Sequence, residues 1–248
     1  MLTDADLARY SRQLLLPGFD IAGQEALRAA TVLVVGLGGL GSAAALYLAA
    51  AGVGRLLLAD GDTLESSNLQ RQIVHTEAQL GSNKAHSAAA TLGALNSALQ
   101  IEVIPQQVVA DTLGALVARC DLVLDASDNF ATRFALNRAC IAAAVPLVSA
   151  AAIRLEGQLA VFDSARGGPC YRCLYPAGGD DSAPSCSDSG VLGPVVGVLG
   201  SLQALEAIKC LTGIAEPLRN GLLVLDLATL DMRRLALARR PDCPDCGG

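Results

Sequence analysis

Short apolar runs alternate with longer stretches of small, helix-forming residues over the first 150 positions, several of the runs ended by glycine or a carboxylate. Thr31-Val32-Leu33-Val34-Val35 is the first clear run, and it opens into Gly36, Gly38 and Gly41. Such a pattern predicts a buried strand, a tight turn, and a helix over 39–51 whose free N–H groups and positive dipole end face an anion. Gly52 and Gly54 close that helix, and residues 55–59 form a second strand that ends at Asp60. Helices over 83–96, 111–118 and 130–144 then alternate with strands over 101–104, 122–125 and 146–150. Repeated β-α units of this kind predict a parallel sheet with right-handed crossovers.

Upstream, residues 3–14 read as a helix with Thr3 as N-cap and with Arg9 and Arg12 on one face, followed by a short helix over 23–30. Downstream the pattern changes. Residues 157–162 alternate like a strand with one exposed face, and 166–189 are rich in Gly, Pro, Asp, Ser and Cys. Residues 195–211 are helical, and 221–226 and 232–237 read as two antiparallel strands. The expected fold class is therefore α/β: a Rossmann-like, mostly parallel sheet flanked by helices, with antiparallel strands in the second half. One domain over 1–248 is expected, with helices at 1–30, nucleotide-binding β-α units at 31–151, and strands, crossover loop, helix and tail at 152–248.

Composition narrows the class. The 248 residues are 52% hydrophobic but only 3% aromatic, with 25 Gly and no Trp, which suits small-residue helices packed closely on a sheet. A net charge of -6 without a Lys/Arg block argues against a nucleic-acid partner. Residues 29–54 carry no charge and would pass a membrane-span window. The glycines in their middle and the strand-helix units that follow favour a core segment and no membrane.

Two C-x-x-C pairs, Cys170/Cys173 and Cys243/Cys246, supply four thiolates for a closed tetrahedral Zn2+ site, structural because no ligand position stays open. Redox pairs or free thiols are the alternatives. No basic-then-apolar signal opens the chain, so a reducing cytoplasm is expected. Cys186, in a polar loop, is either a nucleophile or a tolerated thiol. Cys120, Cys140 and Cys210 read as core residues, and neither His75 nor His86 as a metal ligand.

Asp60 lies about 20 residues past the glycines, where a ribose hydroxyl is held in dinucleotide folds. The chain lacks a P-loop, yet Arg71, Lys84 and Arg12 are cations available to phosphates, and Asp128 and Asn129 follow a strand end where α/β sheets bind ligands. Cations with a strand-end carboxylate suit Mg-ATP better than NAD. A nicotinamide oxidoreductase and a non-catalytic zinc-stabilised binding module stay open as alternatives.

Seven segments occur in one order: Arg9-Tyr10-Ser11-Arg12-Gln13, Gly36-Leu37-Gly38-Gly39-Leu40-Gly41, Asp60-Gly61-Asp62, Ser67-Asn68-Leu69-Gln70-Arg71-Gln72, Asp125-Ala126-Ser127-Asp128-Asn129, Cys170-Tyr171-Arg172-Cys173 and residues 200–209. Together they resemble the bacterial E1-like adenylyltransferases of the ThiF/MoeB/HesA family over nearly the whole chain. The stretch 190–197 looks nearer to the thiamin branch than to the molybdopterin branch.

The resemblance implies adenylation of the carboxy-terminal glycine of a ubiquitin-fold sulfur carrier that ends in Gly-Gly. ATP would lie over Gly36, Gly38, Gly39 and Gly41, with Asp60 at the ribose and Asp62 nearby. Asn68, Arg71, Gln72 and Lys84 would line the phosphates, and Asp128 beside Asn129 would position Mg2+. Arg12 would reach the other subunit of a homodimer, and the four paired cysteines would bind zinc. Cys186 matches a sulfur-transfer position of some members. With no rhodanese extension visible, sulfur would come from a separate donor, a cysteine desulfurase or a rhodanese.

Overall fold

The structure is a computed structural model, and it describes residues 1–176 and 190–247. One eight-stranded sheet runs through it in the order β3-β2-β1-β4-β5-β6-β7-β8. Its strands are β1 (Thr31–Val35), β2 (Arg55–Ala59), β3 (Gln100–Ile104), β4 (Leu122–Asp125), β5 (Leu147–Ile153), β6 (Glu156–Phe162), β7 (Gly221–Asp226) and β8 (Asp231–Ala236). The first five pair in parallel and the last three antiparallel.

The parallel strands are apolar without a break because helices cover both of their faces. Val32, Val34, Leu56, Leu58, Leu122 and Leu124 pack on one side, while Leu33, Val35, Leu57 and Val123 pack on the other. The first side receives α3 (Asp20–Ala29), α4 (Gly39–Ala51), α5 (Lys84–Leu95) and the long helix α9 (Gly193–Thr212). The second receives α6 (Ala110–Val117), α7 (Phe130–Ala143) and the short α8 (Tyr171–Leu174). Full burial of one Leu on either side is worth about 1.5–3 kcal/mol, so the central strands hold the two layers together.

Two expectations are corrected. β6 has no exposed face, because Leu159 and Val161 enter the first core while Ala160 and Phe162 enter the second. Its alternation reflects two different buried environments. The amino-terminal helix divides into α1 (Asp4–Arg9) and α2 (Ser11–Leu14) at Tyr10. Tyr10 is buried, lies against the end of α4 at Gly52, and accepts a hydrogen bond from Asn96 Nδ2 at 3.2 Å. Arg9 and Arg12 therefore sit on separate helices instead of one face; Arg9 donates to the Leu95 carbonyl. Thr3 does cap α1, in a reciprocal pair with Asp6.

α9 is long and apolar enough to cross a membrane by length and composition. It instead packs along α4, where a Cβ at Gly200 would stand 2.3 Å from the Leu40 carbonyl oxygen, and one at Gly39 2.5 Å from Val196. The charge-free window at 29–54 likewise holds β1 and α4, whose side chains are mostly buried.

Candidate active site

The order of the sheet reverses between β1 and β4, which is where doubly wound sheets open a ligand crevice at their carboxyl ends. The turn after β1 fills that position. Gly36 has φ +87° and donates to the Ala59 carbonyl at 2.9 Å, and a Cβ there would lie 2.6 Å from the Ala126 oxygen. Gly38 caps α4 without a side chain, leaving the first N–H groups of the helix for an outside acceptor. A Cβ on Gly41 would stand 1.9 Å from the Gly36 oxygen. Because that atom is backbone, Gly41→Ala must displace α4 from the strand end. A loss of about 2 kcal/mol or more is expected in urea unfolding. An unchanged midpoint would show that the turn tolerates the displacement.

Between these glycines Leu37 is held at both ends. Its N–H donates to Asp60 Oδ2 at 2.7 Å, and its carbonyl lies 2.9 Å from His75 Nε2. A carbonyl can only accept, so the imidazole proton is on Nε2. Burial lowers the pKa of His75, which favours this neutral form. His75 thus acts as a brace, a role the sequence does not signal. Asp60 Oδ1 accepts the Asp62 N–H at 2.9 Å, and burial raises the pKa of Asp60 despite both backbone bonds. Its carboxylate shapes the turn whatever else it holds.

Three loops meet at this turn. Lys84, buried in the first turn of α5, donates to Asp62 Oδ2 at 2.8 Å, while Gln107 Nε2 takes Asp62 Oδ1. Asn83 caps α5 and ties it to the Asp60 carbonyl. Asn68 ends a short turn over Ser66–Asn68 and Arg71 follows it; the Arg71 guanidinium donates to the Ser67 carbonyl, and Asn68 Oδ1 accepts the Glu65 N–H. Gln72 lies buried beside Gly38, and its Oε1 has no hydrogen-bond partner among the described residues. Asp128 is exposed, with Asn129 Nδ2 at 3.5 Å, and Asn129 caps α7 by accepting from Thr132.

Beneath Asp128 lies a buried polar network that the sequence reading missed. Asp125 accepts from Ser127 N and Oγ and from Ser149 Oγ, while Gln203 Nε2 donates to the Asp125 carbonyl. Arg133 Nη2 donates to the Ser127 carbonyl at 2.7 Å. Charge placed under a strand end in this way fixes the loop above it. Asp125 and Ser127 were visible as parts of a motif; Ser149, Arg133 and Gln203 have no local signal.

The four paired cysteines come together. Their Sγ atoms all lie within 4.8 Å of one another, at 3.6 Å for Cys170–Cys243 and Cys173–Cys246 and 4.0 Å for Cys170–Cys173. A tetrahedral Zn2+ with bonds of about 2.3 Å sets its sulfurs about 3.8 Å apart, so this buried donor set fits zinc and not disulfides. The Arg240 N–H reaches Cys173 Sγ at 3.4 Å, as suits a thiolate. Burial pushes the Cys120 and Cys210 thiols up to about 11 and about 12 and raises Cys140 too, leaving these three unreactive. Cys186 lies outside the described residues. Arg12 is exposed and has no hydrogen-bond or ion-pair partner among the described residues.

A glycine turn at the reversal point of the sheet, cations and a strand-end carboxylate around it, and a cysteine clasp define a doubly wound nucleotide-binding class. The chain belongs to the ThiF family, whose model matches residues 10–245. It is 49% identical over 246 residues to "Molybdopterin-synthase adenylyltransferase" of Escherichia coli K12, covering 99% of this chain and 98% of that one. It is 47% identical over 249 residues to "Sulfur carrier protein ThiS adenylyltransferase" of the same organism, covering 100% and 98%. "Adenylyltransferase and sulfurtransferase MOCS3" of Mus musculus is 50% identical over 99% of this chain, which spans 54% of that protein. Among solved structures, E. coli MccB with ATP superposes with a TM-score of 0.84 at 24% identity over 97% of this chain and 75% of that one, a likeness of fold.

Proposed function

We propose that this protein is an ATP-dependent adenylyltransferase that activates the carboxy-terminal glycine of a small ubiquitin-fold sulfur carrier, for thiamin or molybdopterin biosynthesis. Near-50% identity to two adenylyltransferases over almost their whole length supports the reading. The single observation that carries it is the meeting of the Arg71, Lys84 and Asp128 loops at one glycine turn. Identities of 49% and 47% do not separate the two branches, so the carrier is assigned as a class.

In this reading the N–H groups at the start of α4 receive phosphate oxygens, and the remaining lone pairs of Asp60 hold the ribose. Arg71, Lys84 and Asn68 line the phosphate chain, with Lys84 passing from Asp62 to phosphate, and Gln72 placing its amide donor Nε2 beside Gly38. A terminal carboxylate, with a pKa of about 3.3–3.7, is ionised at neutral pH and attacks the α-phosphorus without a general base. The new O–P bond forms as the bond to the leaving pyrophosphate breaks, giving acyl-AMP. No imidazole is needed, which agrees with His75 being occupied as a brace.

Asp128, with Asn129 beside it, would hold Mg2+, which neutralises charge on the phosphates when bound. The four cysteines would hold a structural Zn2+. Sulfur then reaches the activated carrier from a donor protein, a cysteine desulfurase or a rhodanese. Carrier-dependent ATP–pyrophosphate exchange, run with a thiamin-type and a molybdopterin-type carrier, tests the assignment. Exchange with one identifies the pathway; no exchange with either refutes the function.

The exposed Arg12 has a role in a homodimer, reaching the phosphates of the neighbouring subunit. Mixing Arg12→Ala and Asp128→Ala proteins should then restore about a quarter of wild-type exchange, since half the dimers are mixed and each regains one complete site. Confirmed subunit exchange with no recovery would place Arg12 outside the site.

A further inference from the structure

α7 runs from the candidate active site to the cysteine cluster, and one of its faces touches both. At its amino end Asn129 caps the helix next to Asp128, and Arg133 fixes the Ser127 carbonyl. One turn on, Asn137 is 1% exposed and bonds both cysteine loops, one through each end of its amide. Its Oδ1 accepts the N–H of Tyr171, which lies between Cys170 and Cys173, at 2.8 Å. Its Nδ2 donates to Asp245, between Cys243 and Cys246, also at 2.8 Å. One turn further, Ile141 packs on the cysteine cluster itself. Residues 133, 137 and 141 are spaced by four and so share one helical face.

We propose that Asn137 is a positioning residue that couples metal occupancy of the cysteine cluster to the geometry of the Asp128 loop. The two loops it binds come from distant parts of the chain, and a shared metal is what sets them at one distance. Without the metal the loops separate, and a buried amide cannot keep both bonds. α7 then loses its lateral anchor, and the Asn129 cap and the Arg133 bond move with the helix. Coupling between binding sites is reciprocal, so a nucleotide bound over Asp128 must tighten the metal. This inference rests on the adenylyltransferase reading for its nucleotide.

The test uses the zinc-loaded full-length protein. Zinc affinity is measured by competition with TPEN, a chelator that ignores Mg2+, with and without Mg2+ and α,β-methylene-ATP; calorimetry reports binding of the analogue in parallel. In wild type the analogue is expected to tighten zinc by about fivefold or more. In Asn137→Ala and in Asp245→Ala both ligands still bind, but the tightening falls below about twofold. The paired exchange Asn137→Asp with Asp245→Asn keeps an acceptor toward the Tyr171 N–H and a donor–acceptor pair toward position 245, and it restores the tightening. A purely structural asparagine would weaken either ligand without changing their mutual effect.

Should the analogue bind wild type yet leave zinc affinity unchanged, or should both alanine variants keep the full tightening, the coupling is wrong while the nucleotide site stands. Failure of the analogue to bind wild type overturns both. If Asn137→Ala does not fold, Asp245→Ala decides alone, since that side chain is only half-buried.

Discussion

Replacing Asp128 by alanine is expected to cut carrier-dependent ATP–pyrophosphate exchange by at least about 100-fold, the loss typical of removing one group that stabilises charge in a transition state. The expectation follows from where the carboxylate sits. Asp128 is exposed above a loop that Asp125, Ser127, Ser149 and Arg133 fix from below, and its carboxylate is met at 3.5 Å by the amide of its neighbour Asn129. Its charge is not needed to hold the fold, so the unfolding midpoint should stay where it is. Asp128→Asn preserves shape without charge and should fall nearly as far, which separates electrostatics from packing. Normal exchange in the alanine variant would remove Asp128 from the machinery.

Loss of the metal clasp should be the largest effect on stability. Cys243→Ser is expected to lower bound zinc well below one ion per chain and to cost about 3 kcal/mol or more in urea unfolding. The four sulfurs join α8 to the carboxy-terminal tail, and Ile141 of α7 packs on them. Without the ion, the three remaining thiols and the new hydroxyl face one another in a buried cluster that no longer ties α8 to the tail. Metal analysis beside the unfolding curve checks this. A zinc-free protein with an unshifted midpoint would show that packing alone closes the clasp.

The central strands and helices were legible in the sequence because each boundary has a local cause. β1, α4, β2 and β4 match their expected limits, since Gly38, Gly52 and Asp60 punctuate apolar runs. The cysteine cluster was legible because two equal spacings can be read without knowing the fold. What escaped was decided by tertiary neighbours. Tyr10 breaks a helix because its ring has a pocket at Gly52. β6 is buried on both faces because α9 and α8 cover it, which no two-residue alternation announces. Asn137, Gln203 and His75 are polar residues in ordinary surroundings along the chain, and only the fold brings partners 34 to 108 positions away within hydrogen-bond reach. Asp60 was placed correctly at its strand end, but its bonds to the Leu37 and Asp62 N–H groups are a second task that its position alone does not reveal.

The double restraint on Leu37 also bears on how quickly the enzyme can work. A loop that acquires its shape only around its ligand loses part of the binding energy to ordering and must rearrange at each turnover. Here an aspartate and a histidine already hold the backbone amide and carbonyl, so the entropy of that turn is lost once, during folding. In the proposed function ATP would meet a cradle that is ready before it arrives, and release of the spent nucleotide would not wait for this part of the protein to come apart.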